Sequence, residues 1–551
     1  MGDIYILMIL TIIISPISGL LLLLISLVHR RFSKVRVDIT VLLAGTVLVL
    51  VGIITKHASS LIVLSKAILS QIEPIRELFH LHETSITTMM KIWLLSDPFT
   101  IGLAMTCLSL CLVITHNGAA EQMMYREMKR LDARRKWTKD IDYLYDRNTG
   151  IFGVSGSGKG TLLTKIIEQC LEQEHDTYFL VVDGKSDCTD PYGFYHTMRH
   201  LCRKYDRELA IINGTALELP EEYTYDPFDG LVAAEEVRDM IMTLMFSPDT
   251  ETNAGSEHYR MMFSRLLLQT ILLMQKYKVR MTMTNISRLL IKDNMEMLLD
   301  DKKRNVSVAD REEMKKVIST CYADASAGIR KLEMFLMGSG KRMFQIRDDH
   351  PTVNARTAYQ NNQLLLFLIS EMDMPEFSSG IGRLAVTDAR MMIAARMNGS
   401  IDKNRKARII MDEYSAYASS NILSILSRAR SSESVAYLST QSVSDLTAIS
   451  PEFRDACFDN ISRFFFYRQN SPEAAETVAS LIGTRSTVQE TLRSSAALSM
   501  GEASNRLVRE FVVSPDEIKG LPNQHGIMLD KMKNPPEIKW IENTFVDMKE
   551  G

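Results

Sequence analysis

Apolar positions crowd into the first 115 residues of the chain and then give way to alternating and helical patterns. Ile4 to Val28 is 25 residues without a charge, longer than the roughly 20 a helix needs to cross a bilayer. The run starts at Met-Gly-Asp and ends in His29-Arg30-Arg31, the reverse of a signal peptide's basic start and small-residue end, so a retained transmembrane helix is expected over 4–28. Ile39 to Thr55 is a shorter uncharged run, and Phe99 to Thr115 is a third, for which a buried helix is the competing reading. The loop 29–37 is basic, the loop 56–97 is mixed, and Arg126, Lys129, Arg130, Arg134, Arg135, Lys136 and Lys139 follow the third run. Positive segments stay on the cytoplasmic side. Three spans with the N-terminus outside satisfy this, two spans compete, and either way the chain after about residue 119 is cytoplasmic. The basic face of 121–136 should then meet anionic lipid.

Beyond that region the pattern changes to strand, glycine-rich loop and helix. Gly150-Ile151-Phe152 leads into Gly153-Val154-Ser155-Gly156-Ser157-Gly158-Lys159-Gly160-Thr161, and Leu162, Leu163, Ile166 and Ile167 fall on one face of a following helix. Glycines let backbone N–H groups turn inward around phosphate, and the helix N-terminus adds partial positive charge. Lys159 would reach the β- and γ-phosphates of a nucleotide. The position after the lysine, where a Ser or Thr ordinarily binds magnesium, holds Gly160; Thr161 is next and could touch the α-phosphate or stand in at the metal.

A second apolar run, Ala407 to Met411, ends in Asp412 and Glu413, as a buried parallel strand would. Asp412 is expected to hold magnesium through water, and Glu413 to polarise the attacking water. A third run, Ser434 to Leu438, ends in Ser439-Thr440-Gln441, where Gln441 can sense a γ-phosphate or place water. ATP and Mg2+ are therefore the expected ligands.

Composition changes this picture little. At 551 residues the chain exceeds one domain, and 46% hydrophobic with 24% charged residues is ordinary for a globular protein. A net charge of −3 advertises no polyanion partner, so any nucleic-acid contact must be a local basic patch or a pore lining. Seven scattered cysteines without a CxxC pair read as reduced thiols, not as a disulfide frame or zinc site.

Taken in order, these segments resemble the type IV coupling proteins of the TraD/TraG class, RecA-like hexameric ATPases related to FtsK and HerA. Phe179 to Asp187 (FLVVDGKSD) is similar to that family's VDPKGD strand, and Tyr225-Asp226-Pro227-Phe228-Asp229 to its YNPLD stretch. Asp412-Glu413, Ser439-Thr440-Gln441-Ser442, Phe464 to Glu473, and Ser514-Pro515-Asp516-Glu517-Ile518 with Leu521-Pro522 follow in the family's order, so the resemblance spans roughly 145–540. It implies an α/β fold: a RecA-like P-loop NTPase core with an all-α insert domain, preceded by N-terminal transmembrane helices. The expected division is a membrane anchor at 1–118, a linker at 119–145, core at 146–232, insert at 233–375 and core again at 376–551. The Met-rich helical patches of 234–373 read as helix packing.

The resemblance further implies a homohexamer in the bacterial inner membrane. It would couple a relaxase-bound single-stranded DNA, effector proteins or their adaptors to type IV secretion channel components. It also implies an arginine acting on the neighbouring subunit's site, for which Arg430 sits at the matching offset and Arg428 is the rival. A double-stranded DNA translocase of the FtsK type and a docking receptor with little turnover are the alternatives. The first lacks a segment for a DNA-reading winged helix, and the intact Lys159, Asp412 and Glu413 count against the second.

Overall fold

The structure is a computed structural model. It describes residues 136–139, 147–220, 222–231, 233–246, 254–347, 350–428, 430–492 and 503–548. The expected spans 4–28, 39–55 and 99–115 and most of the linker 119–145 lie outside the described residues. Among the described residues no helix is long and apolar enough to cross a membrane.

Among the described residues the strands are β1 (Trp137–Thr138), β2 (Thr149–Phe152), β3 (Tyr178–Asp183), β4 (Glu208–Asn213), β5 (Thr224–Tyr225), β6 (Thr352–Val353), β7 (Gln363–Leu368), β8 (Ala407–Met411), β9 (Ser434–Thr440), β10 (Arg463–Phe466), β11 (Thr484–Leu492), β12 (Ala503–Phe511), β13 (His525–Asp530) and β14 (Glu537–Glu542). Ten of them make one sheet in the order β1-β14-β13-β10-β2-β9-β8-β3-β7-β4. From β10 to β4 every pairing is parallel, and β13 is antiparallel to both β10 and β14. A parallel sheet must be covered on both faces, and the apolar runs supply the cover. Alternate residues serve opposite faces: Tyr178, Leu180 and Val182 of β3 join one core, Phe179 and Val181 the other. The helix Lys159–Gln173 lies on the second face, where Leu162, Leu163, Ile166, Ile167, Cys170 and Leu171 are buried at the i, i+4 spacing the sequence predicts. The helix Pro375–Met397 covers the first face and is buried along most of its length. Its Arg383 donates from Nε to Thr243 O at 3.0 Å and from Nη2 to Leu244 O at 3.2 Å, closing the C-terminus of the helix Ala234–Met245.

Between β5 and β6 the described elements are all helices. Its longest helices, Ala254–Lys276 and Val308–Phe335, approach so closely that a Cβ on Gly328 would stand 2.6 Å from the Phe263 ring. Met240, Met245, Met274, Met283, Met295, Met314 and Met343 are buried among these helices, the packing role read from the sequence. The helical character does not extend to residue 375. Gln363–Leu368 is a core strand, hydrogen-bonded between β3 and β4. A short continuous apolar run cannot be assigned to strand or helix by periodicity alone, and here parallel neighbours on both sides make it a strand. The excursion is tied at its base. β5 pairs with β6, and Asn354 Nδ2 donates to Asp226 O at 2.9 Å and Asp229 O at 3.0 Å. Tyr225 Oη and the Ala355 N–H both donate to Asp388 Oδ2 at 2.9 Å. The Tyr225–Asp229 motif is thus a structural fastening of the helical excursion.

Candidate functional site

The glycine-rich loop leaves the C-terminal end of β2, with β10 on one side and β9 on the other. Its trace is held by backbone bonds to both neighbours: the Gly153 N–H donates to Thr440 O at 3.3 Å and the Val154 N–H to Arg468 O at 3.1 Å. Gly156 and Gly158 have φ of +74° and +118°, values that favour glycine. Gly158 N-caps the helix that begins at Lys159. A Cβ at Gly153 would stand 2.4 Å from Tyr467 Cβ, whereas a Cβ at Gly160 would meet nothing within 4 Å. The space beside Gly160, where the Ser or Thr hydroxyl is ordinarily found, is therefore open. Ser157 Oγ is buried without a hydrogen-bond partner among the described residues, an orphan that an oxygen-rich ligand of the loop would satisfy. Ser155 is exposed at the loop's tip, and Thr161 is half-buried in the first helical turn.

Lys159 is buried, and its Nζ donates to Gly153 O at 2.7 Å and stands 3.6 Å from Glu413 Oε1. Burial pulls its pKa down, while Glu413 and Asp412 work the other way. Asp412 and Glu413 leave the end of β8, two places along the sheet from β2. Asp412 accepts from Ser439 Oγ at 2.7 Å, and burial, with Glu413 adding to it, pushes the Asp412 carboxyl up. Glu413 adopts a left-handed backbone, φ 49°, which turns its carboxylate toward the loop side, and Oε1 lies 2.9 Å from Lys185 Nζ. The turn after β3 comes so near that a Cβ on Gly184 would stand 2.8 Å from Glu413 Cβ. Asp183 closes that turn by accepting from the N–H groups of Lys185 and Ser186 at 3.0 and 3.1 Å. Burial and then Asp412 raise its pKa to about 7.

Lys159, Asp412 and Glu413 are thus brought together at one end of the sheet, as expected. Gln441 follows the last residue of β9 at the same end and is exposed. Arg430 does not join them within the chain. It opens the turn Arg430–Ser432 ahead of β9, and that seven-residue strand separates it from Gln441, a run of about 20 Å at a strand's rise. Arg428 ends the helix Asn421–Arg428 at that same far edge and is exposed. Lys185, whose place beside Glu413 follows from the β3–β8 pairing, and Gln524 and Asn543, which touch the loop from the ends of β13 and β14, also belong to the site, and no local pattern in the sequence marks them.

Among the described residues no group of three or more His, Cys, Asp or Glu side chains could hold a metal ion alone. Magnesium usually takes one or two carboxylates and completes its shell with water and substrate phosphates. Asp412 and Thr161 are the residues that could serve. The loop's glycine conformations, the buried lysine and the orphan hydroxyl fit a nucleotide's phosphates.

The fold is that of an α/β protein whose large mixed sheet matches a RecA-like core. Residues 406–523 match a family model described as the TraM recognition site of TraD and TraG. The chain is similar in structure to the bacterial conjugative coupling protein TrwBdeltaN70 in an unbound form, with TM-score 0.53 and 15% identity over 73% of this chain and 86% of that one. It is also similar to the plasmid coupling protein TrwB in complex with the non-hydrolysable GTP analogue GDPNP (TM-score 0.52, 14% identity, 77% of this chain and 94% of that one). The complex of TrwB with ADP and Mg2+ gives TM-score 0.52 at 14% identity, over 75% and 90%. A sequence comparison with curated proteins finds no match. The resemblance to the TraD/TraG class of type IV coupling proteins is borne out.

Proposed function

We propose that this chain is the membrane-anchored ATPase of a type IV secretion or conjugation apparatus, hydrolysing ATP at the loop 153–161 to drive or gate the export of cargo. The observation that carries the reading is the approach of Glu413 to Lys159, 3.6 Å across a buried space at the C-terminal ends of β2 and β8, with Asp412 fixed beside it by Ser439. Lys159 would exchange its contact with Gly153 O for phosphate oxygens. Glu413, paired with Lys159 and Lys185, would orient and deprotonate water. Gln441 would place that water or report the γ-phosphate. A bound magnesium ion would neutralise phosphate charge, held on the protein side by Asp412 and Thr161.

The remaining parts of the proposal rest on the sequence. The spans 4–28, 39–55 and 99–115 would anchor the chain in the inner membrane with the ATPase unit in the cytoplasm. Arg430 lies too far along β9 to serve its own loop, which favours service to a neighbouring subunit in a homohexameric ring. The match over 406–523 to a TraM recognition site favours a relaxosome protein as one partner. Relaxase-linked single-stranded DNA and secreted proteins both remain as cargo. The test is transfer in cells: Lys159→Ala should abolish ATP turnover and cargo transfer together. Transfer at the wild-type level without turnover would leave a docking receptor instead.

A further inference from the structure

The outer side of the glycine-rich loop is gripped by residues more than 360 positions away. The Gln524 N–H donates to Ser157 O at 2.8 Å. Asn543 Nδ2 donates to Gly158 O at 2.8 Å and to Gln524 Oε1 at 3.2 Å, while its Oδ1 accepts from Tyr467 Oη at 2.8 Å. The Asn543 N–H in turn donates to Gln524 O at 2.8 Å. Asn543 is buried, and its amide orientation is dictated by a donor on one side and two acceptors on the other. The fit is tight: a Cβ at Gly158 would stand 2.5 Å from Asn543 Nδ2, 2.7 Å from Gln524 Oε1 and 3.1 Å from Gln524 Cα. Beyond Asn543 the chain continues against the face that carries the helix Lys159–Gln173. Val546 is buried in that core, and the Phe545 ring lies 5.0 Å from Tyr192.

A trans peptide is planar, so its C=O and the next residue's N–H point in opposite directions. Tying Ser157 O to Gln524 therefore aims the Gly158 N–H inward, and tying Gly158 O to Asn543 aims the Lys159 N–H inward. These are two of the donors that a phosphate-binding loop must present. Gly158 O also accepts from the Leu162 N–H at 3.0 Å, the first bond of the helix, so Asn543 reinforces a plane that the helix start already biases, while the Ser157–Gly158 plane is held from Gln524.

Resting on the nucleotide reading above, we propose that Asn543, with Gln524 and Tyr467, is a positioning clasp for the phosphate-binding loop. It sets the Gly158 and Lys159 N–H groups toward the β-phosphate before nucleotide arrives. Donors that meet the β-phosphate alike in the ground and transition states contribute uniform binding, so their loss raises KM and spares kcat.

The test uses the full chain in detergent micelles, with ATP turnover and ADP affinity measured for the wild type, Asn543→Asp and Tyr467→Phe. Asn543→Asp keeps the shape but replaces the donor with an oxygen facing Gly158 O and Gln524 Oε1. It should raise KM for ATP and Kd for ADP at least about ten-fold, with kcat within about two-fold. Tyr467→Phe, which frees Asn543 Oδ1, should shift both constants the same way by less. A merely structural role predicts a lower melting temperature and less active protein with KM unchanged, and unchanged KM in both variants overturns the clasp. A wild-type chain that neither binds nor hydrolyses ATP overturns the nucleotide reading and takes the clasp with it.

Discussion

Asp388 offers a pH-dependent test of how the helical excursion is fastened to the core. Its carboxyl is fully enclosed, and Oδ2 accepts from Tyr225 Oη and the Ala355 N–H, both at 2.9 Å. Burial raises its pKa from 3.8 to about 7, against the opposing pull of those two hydrogen bonds and of Arg356. In the unfolded chain it returns to the ordinary value. Below pH 3.8 both states are protonated and the stability contribution is fully present. As pH rises toward about 7, the unfolded state ionises while the folded state resists, and the contribution is lost. At about 1.4 kcal/mol per pH unit, the loss by pH 8 is about 4 kcal/mol. Asp388→Asn keeps an oxygen that can accept both bonds and removes the ionisation. Chemical denaturation of the full chain, followed at several pH values, should show wild type and Asp388→Asn nearly equal at pH 4. The variant should be more stable at pH 8, by up to about 4 kcal/mol. Asp183 and Asp226 titrate in both proteins, so the difference isolates Asp388. A gap that stays constant from pH 4 to pH 8, or a variant that weakens as pH rises, would refute the argument.

Two further expectations concern assembly and placement. Mixing Arg430→Ala with Lys159→Ala protomers, each inactive alone, should restore part of the ATPase activity, because some interfaces then pair an intact lysine with an intact arginine; co-assembly without any recovery would show that Arg430 does not act in trans. An arginine supplied to a neighbour's site in this way is worth about 10³–10⁵ in rate. Reporter fusions after residue 75 should read as periplasmic and those after residue 140 as cytoplasmic, and a cytoplasmic reading at 75 would leave Ile39–Thr55 as a non-spanning segment.

What was legible in the sequence was what is local. The strand, glycine loop and helix around Lys159 announce themselves within about twenty residues, and the apolar run before Asp412 and Glu413 fixes that pair at a strand end. Gln363–Leu368 falls within the expected helical excursion because an unbroken apolar run has no period to read, and its identity as a strand depends on β3 and β4 lying alongside. The same dependence hid Lys185, which meets Glu413 only once β3 and β8 pair. Asn543 is the extreme case, since its contact with Gly158 spans 385 positions and no spacing rule connects them. The Tyr225–Asp229 stretch resembled a family motif, yet only its bonds to Asn354 and Asp388 show that it fastens the helices to the core.

The measurement that bears most directly on the site's chemistry is the separation of binding from turnover in Glu413→Gln. Glutamine keeps the shape of the side chain beside Lys159 and Lys185 but cannot take a proton from water. The full-length variant, assayed with ATP and Mg2+, should bind ATP with an affinity within about three-fold of wild type. Its hydrolysis should fall by about 10²–10⁴, the usual cost of a lost general base. Hydrolysis at the wild-type rate by that variant would contradict the account.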